Sequence, residues 1–275
     1  MGNNRFGMFL SKWNLHLLFV VLIVALGACS GFEKIIKSKD YEFKYKKALE
    51  YYAKKDHYRY LTLFEQLSPI YKGTMRSDTI EFYLAQGNFY QGDYLLAGHY
   101  YDKFRKTFPR SVFTEDADFM YAYCFYMSSP RAELDQENTQ LAVEAFSEFM
   151  SRHPSSKHNA EVNKIMLELR DKLIEKSYLS SRLYYKIGDY KAAIVAIRNS
   201  LKDFPNSKYR EEQVFLILKS AYLLAENSVP EKRRERYQST IDEYYTFIGE
   251  YPESEYVNEA KRMYETSMKF LKKIN

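Results

Sequence analysis

From residue 41 to the end of the chain, apolar residues recur at helical spacing, interrupted by short polar runs that contain Gly or Pro. The clearest case spans residues 161–207. Val162, Ile165, Met166, Leu169 and Leu173 fall at i, i+3, i+4, i+7 and i+11, on one face of a helix. Gly188-Asp189-Tyr190 makes a turn, and Ala192, Ala193, Ile194 and Ile197 carry a second apolar helix that stops at Phe204-Pro205. Proline cannot continue a helix and biases the residue before it toward an extended conformation. The pattern predicts a helix–turn–helix hairpin with a stop at each end.

The same reading gives four more hairpins. In the first, about 41–72, Tyr45, Ala48, Leu49 and Tyr52 face Tyr60, Leu61, Phe64 and Leu67. The second, about 77–111, places Ala85 at the helix crossing, Gly92-Asp93-Tyr94 at the turn, and Ala97, Tyr101 and Phe104 on the returning helix. The third, about 114–156, has a longer loop over 128–137 with Pro130, then Ala142, Phe146 and Phe149. The fifth, about 208–254, carries Tyr244 and Phe247, and an amphipathic helix over about 255–273 follows. An aromatic residue or His followed by Pro-x-Ser recurs at 108, 153, 204 and 251, in steps of 45, 51 and 47 residues. Each serine is placed to cap the next helix. One hairpin cannot bury its apolar face alone, whereas stacked hairpins bury a continuous core. The expected fold is therefore all-α: a tetratricopeptide-like α-solenoid of about five helical hairpins with a C-terminal capping helix.

Composition agrees with helices packed by large side chains: 27 Tyr and 19 Phe stand against 10 Gly and 7 Pro in 275 residues. The net charge of +5 gives no case for nucleic acid. Residues 1–28 read as a lipoprotein signal peptide, with basic Arg5 and Lys12, an apolar run from 15 to 26, and Leu26-Gly27-Ala28 before Cys29. Cys29 is the expected lipid attachment, giving an anchor of several acyl chains. Ser30 follows Cys29, and in lipoprotein sorting as generally understood the lack of an acidic residue there is compatible with delivery to the outer membrane. Residues 29–40 read as the lipidated cysteine and a basic tether. Cys124, left alone in the mature chain, reads as a small buried hydrophobe rather than a reactive thiol.

Catalytic and metal-binding motifs do not emerge. His153 and His158 straddle a break and make a poor metal site, and no Gly-rich phosphate loop, HExxH or GxSxG occurs. Carboxylates such as Glu168 and Asp171 alternate with bases and read as solvated surface, as does the cluster Lys232, Arg233, Arg234 and Arg236. No enzyme activity and no cofactor beyond the covalent lipid are expected. Tyrosine offers a flat apolar body and a hydrogen-bonding tip, which suits a peptide groove. Tyr45, Tyr52, Phe82, Phe89 and Tyr90 are the candidate groove residues.

The segment LRDKLIEKSYLSSRLYYKIGDYKAAI, followed by LKDFPNS, resembles the signature of the BamD family, lipoprotein subunits of the machinery that inserts β-barrels into the bacterial outer membrane. Where members often carry an arginine this chain has Ala196, and the nearest arginine is Arg198. The resemblance implies a periplasm-facing, lipid-anchored scaffold of the outer membrane. Residues 157–275 would dock the β-barrel insertase through its periplasmic domains, with Arg170, Asp189 and Arg198 as candidate contacts. Residues 41–156 would bind unfolded barrel precursors. The alternative is a tetratricopeptide lipoprotein that scaffolds cell-wall hydrolases or envelope constriction.

Overall fold

The computed structural model describes residues 31–274, all of its regular structure being helical. The signal peptide, Cys29 and Ser30 lie outside the described residues. Two compact units form: residues 31–128 with 144–159, and residues 129–143 with 160–274.

Unit 1 opens with a short helix over 31–37. It continues through α1 (Tyr41–Ala53), α2 (His57–Tyr71), α3 (Ser77–Tyr90), α4 (Tyr94–Thr107) and α5 (Thr114–Ser128). It also takes the second half of α6 (Glu137–Arg152). Each helix from α1 to α4 packs on the next. The expected stripes do the packing. Ala48, Tyr60, Leu61, Phe64 and Leu67 form one cluster, and Ala85, Ala97, Tyr101 and Phe104 form the next. Gly87 permits a close helix approach: a Cβ there would sit 2.9 Å from Tyr60 and 3.0 Å from Leu61. Cys124 is 2% exposed, and burial pushes its thiol up to about 12, as a small core hydrophobe requires.

The basic tether is a packed element rather than a solvated linker. Phe32 and Ile35 are buried in the first cluster, because a helical turn over 31–37 brings both to one face.

Two repeated turns build the hairpins. At the tips, Asp56, Asp93 and Asp189 cap the following helix, accepting from the backbone N–H of Arg59, Leu96 and Ala192. The residue before each aspartate takes a left-handed conformation: Gly92 at φ 84°, Gly188 at 85° and, without glycine's freedom, Lys55 at 57°. At the Pro-x-Ser sites the serines act one step earlier than expected. Ser111, Ser156, Ser207 and Ser254 each accept, on Oγ, the N–H two residues on, bending the chain before the helix begins. Tyr209 occupies the N-cap of the helix after Ser207 and makes no side-chain cap.

Unit 2 contains α7 (Asn159–Lys186), α8 (Tyr190–Asp203), α9 (Arg210–Glu226), α10 (Pro230–Glu250) and α11 (Val257–Ile274). Helix α9 packs on α8, α10 and α11, which explains why residues 213–218 are buried all round. Gln213 Nε2 donates to Ser200 Oγ at 2.9 Å, and Ser177 donates to the same oxygen at 2.8 Å, so α7, α8 and α9 share one polar lock. The 128–137 loop is held by α7: Lys172 donates to Ser129 Oγ at 2.7 Å and Lys176 to the carbonyl of Glu133 at 3.1 Å. Lys172 is thus half-buried rather than solvated, and burial lowers its pKa. In the basic cluster, Arg233 and Arg236 turn inward to Ser228, closing the α9–α10 turn.

Candidate binding surfaces

In unit 1 the tips of the first two hairpins enclose a cleft of about 280 Å³, lined by Tyr52, Ala53, Lys55, His57 and Tyr90. Tyr52 comes from the last turn of α1, His57 from the first turn of α2, and Tyr90 from the end of α3. The Asp56 and Asp93 caps fix these ends. Tyr90 and His57 face each other at 4.4 Å between ring centroids. Tyr52 rests on Tyr83 at 4.2 Å and meets Tyr60 edge-on at 5.4 Å. Burial raises the pKa of Tyr52, Tyr60 and Tyr83, so all three keep neutral hydroxyls at physiological pH. The walls are aromatic, and the exposed Lys55 supplies a cationic residue to the lining. Such a site can hold a flat apolar side chain beside a negative charge.

The five groove candidates divide. Tyr52 and Tyr90 line the cleft. Phe89, half-buried, supports Tyr90 at 5.7 Å and packs on Tyr94 and Tyr123. Tyr45 lies in the packing between α1 and α2, beside Phe64 and Tyr71 with Arg76 4.5 Å over its ring. Phe82 is core: it is 5% exposed and stacked on Phe113 at 4.6 Å. Helical spacing does not separate a ring pointing at the next helix from one pointing at solvent. Lys55, His57 and Tyr83 were missed, although Lys55-Asp56 occupies the place of Gly92-Asp93 in the next hairpin.

The two histidines near Pro154 do have carboxylate partners, brought by α5. His153 Nε2 lies 2.8 Å from Asp118 Oδ2, and His158 Nε2 lies 2.9 Å from Asp116 Oδ1. Asp118 is 4% exposed and also accepts from Arg152 at 3.1 Å, so this carboxylate is not solvated surface. The histidines serve different aspartates. No group of three or more metal-ligating side chains forms among the described residues, and no described helix is long and apolar enough to cross a membrane.

In unit 2 the docking candidates are also dispersed. Asp189 caps α8. Arg198 is ion-paired to Glu243 of α10. Arg170 is exposed on α7. A separate shallow depression of about 500 Å³ is lined by Tyr184, Ala192, Val195 and Ala196 together with the polar Asp189, Lys191 and Asn199. Val195 within it is 55% exposed, and Leu183 and Ile187, near the end of α7, are 55% and 67% exposed.

Successive capped helical hairpins, among the described residues, define a tetratricopeptide-like, all-α protein. The family model YfiO, described as an outer membrane lipoprotein, matches residues 37–235 and again 182–274. The chain belongs to this outer membrane lipoprotein family. Its curated relatives include the outer membrane protein assembly factor BamD of Neisseria meningitidis serogroup B, 28% identical over 134 residues, or 44% of this chain and 49% of the relative. The same factor from Neisseria gonorrhoeae is 31% identical over 111 residues, 40% of each chain. The aligned stretch thus spans about half or less of the length of these relatives. Among solved structures, the TPR2AB domain of yeast Sti1 in its pHSP90 complex aligns over 83% of this chain and 98% of its own, at 11% identity and a TM-score of 0.39.

Proposed function

We propose that this chain is a lipid-anchored scaffold, facing the periplasm, that takes part in assembling β-barrel proteins into the outer membrane. The observation that carries the reading is the family match, which runs through both units. The relatives named as assembly factors point the same way. Cys29 carries the lipid, and no catalytic step or cofactor is involved. In this reading the Tyr52–His57–Tyr90 cleft takes the C-terminal end of an unfolded barrel precursor. A terminal aromatic ring fits between the rings, and the chain-end carboxylate sits at Lys55. The depression around Val195 and Ala196, with Arg170 on the neighbouring helix, docks the periplasmic domains of the insertase. Arg198 and Asp189 act there through the structure they hold rather than as free contacts.

The test is a mild-detergent purification of the processed lipoprotein from its own membranes, with bound proteins identified by mass. Recovery of a large outer membrane barrel protein with repeated periplasmic domains is expected. Recovery of cell-wall hydrolases without that protein would overturn the reading and favour a scaffold of envelope enzymes.

A further inference from the structure

The first helix of unit 1 ties the chain's N-terminal side to one end of the α1–α2 hairpin. Phe32 meets Tyr51 edge-on at 5.6 Å and Tyr58 at 6.4 Å, and the Arg59 guanidinium lies 5.5 Å over its ring. These partners sit at the last turn of α1 and the first turn of α2, so the hairpin tip is the end that Phe32 grips. Residue 29 precedes Phe32 by three residues, and a fully extended chain covers at most about 11 Å in that length. An acylated Cys29 therefore holds this tip, and not the opposite end of the helices, close to the lipid surface.

The surface at the tip suits that position. Tyr58 is 67% exposed, a ring with an apolar body and a polar end of the kind enriched at membrane–water interfaces. Carboxylates around it are already matched: Glu33 with Lys37 at 3.4 Å, Glu50 with Lys47 at 2.7 Å, and Asp56 with Arg59 at 3.0 Å. Lys34, exposed on the 31–37 helix, and Lys54, exposed three residues after Tyr51 on the same face of the hairpin, remain as surplus positive charge.

We propose that the tip of the α1–α2 hairpin is a bilayer-contacting surface, with Tyr58 at head-group level and Lys34 and Lys54 against anionic lipid head groups. The proposal rests on the reading that Cys29 is lipidated. It adds that the anchor orients unit 1 on the membrane instead of merely retaining it there. Each surface lysine contributes about a fivefold preference for the seated state on an anionic bilayer.

The experiment uses the full processed lipoprotein in phosphatidylcholine vesicles with and without phosphatidylglycerol. A fluorophore is placed by Tyr58→Cys at the tip or by Val112→Cys at the opposite end of the unit 1 helices, where Val112 is 87% exposed. A quencher is carried on lipid head groups. The Tyr58 label is expected to be quenched strongly and the Val112 label weakly. Lys34→Gln with Lys54→Gln should lower the seated-to-free ratio about fivefold per lysine in the anionic vesicles only. Equal quenching at both labels on an acylated chain would overturn the surface and leave the anchor standing. Mass analysis of the same sample reads acylation directly, and an unmodified Cys29 would overturn both.

Discussion

Tyr52 and Tyr83 lie 4.2 Å apart between ring centroids, tilted by 32°. One ring belongs to α1 and the other to α3, so the contact packs a cleft residue of the first hairpin against the second. It also separates two kinds of tyrosine. Tyr52 is half-buried and shapes the site from within, whereas Tyr90 is 53% exposed and forms its open wall.

This division predicts a split result for alanine substitutions. Tyr90→Ala should weaken binding of a peptide with a C-terminal aromatic residue about tenfold, by loss of one stacking wall. It should change stability by less than about 0.5 kcal/mol, because the ring is largely in water. Tyr52→Ala should lose binding and also about 2 kcal/mol of stability, since it leaves a gap against Tyr60 and Tyr83. Fluorescence anisotropy and urea titration on the same proteins check both.

Asp118 is the charged hub of unit 1. It is held by Arg152, His153 and, at 3.8 Å, Arg105, so it joins α5 to α4 and to the end of α6. Removing a buried partner strands the opposite charges. Asp118→Ala is expected to cost about 3 kcal/mol in chemical denaturation. Glu148→Ala, which removes a half-exposed carboxylate from the same arginines, should cost under about 1 kcal/mol.

Tyr101 is fully buried, and its hydroxyl has no hydrogen-bond partner among the described residues. An unsatisfied buried hydroxyl is unfavourable by about 1 kcal/mol or more. Tyr101→Phe keeps the ring against Phe82 and should therefore raise the melting temperature, an uncommon outcome for a core substitution.

Two aspartates of unit 1 predict how it responds to acid. Burial raises the pKa of Asp116, but hydrogen bonds from His158 and Lys157 outweigh that and lower it overall. At Asp102 burial is likewise outweighed, by Lys106 and Arg105. A carboxyl with a lowered folded-state pKa stabilises the protein above the unfolded-chain value of about 4 and loses that contribution as the pH falls through the folded value. Stability should decline below about pH 4. Asp102→Asn and Asp116→Asn should each be less stable at neutral pH and flatten that decline, as read from urea midpoints across a pH series.

Much of this fold is legible in the sequence because its punctuation is local. Gly-Asp at the tips and Pro-x-Ser between hairpins act through backbone angles and hydrogen bonds within a few residues. The stripes built from Leu61, Phe64 and Ile197 follow from helical periodicity alone. The site is less legible because it depends on which helix lies opposite. Nothing local marks Phe82 as core and Tyr90 as surface. His153 and Asp118 are 35 residues apart and meet only through packing of the third hairpin. The lysine at position 55 hides the first tip turn, whose glycine counterparts are plain in the next repeats. The 29–40 segment reads as a basic tether because its three lysines outnumber its two buried residues, although Phe32 and Ile35 decide its placement.

The most direct test of the assembly reading is photocrosslinking in living cells, with a crosslinking amino acid at Tyr90 in one strain and at Val195 in another. The account predicts that Tyr90 captures newly exported barrel precursors through their C-terminal segments, and that Val195 captures a large barrel protein bearing periplasmic domains. Capture of cell-wall hydrolases at both positions, with no barrel protein at either, would contradict it.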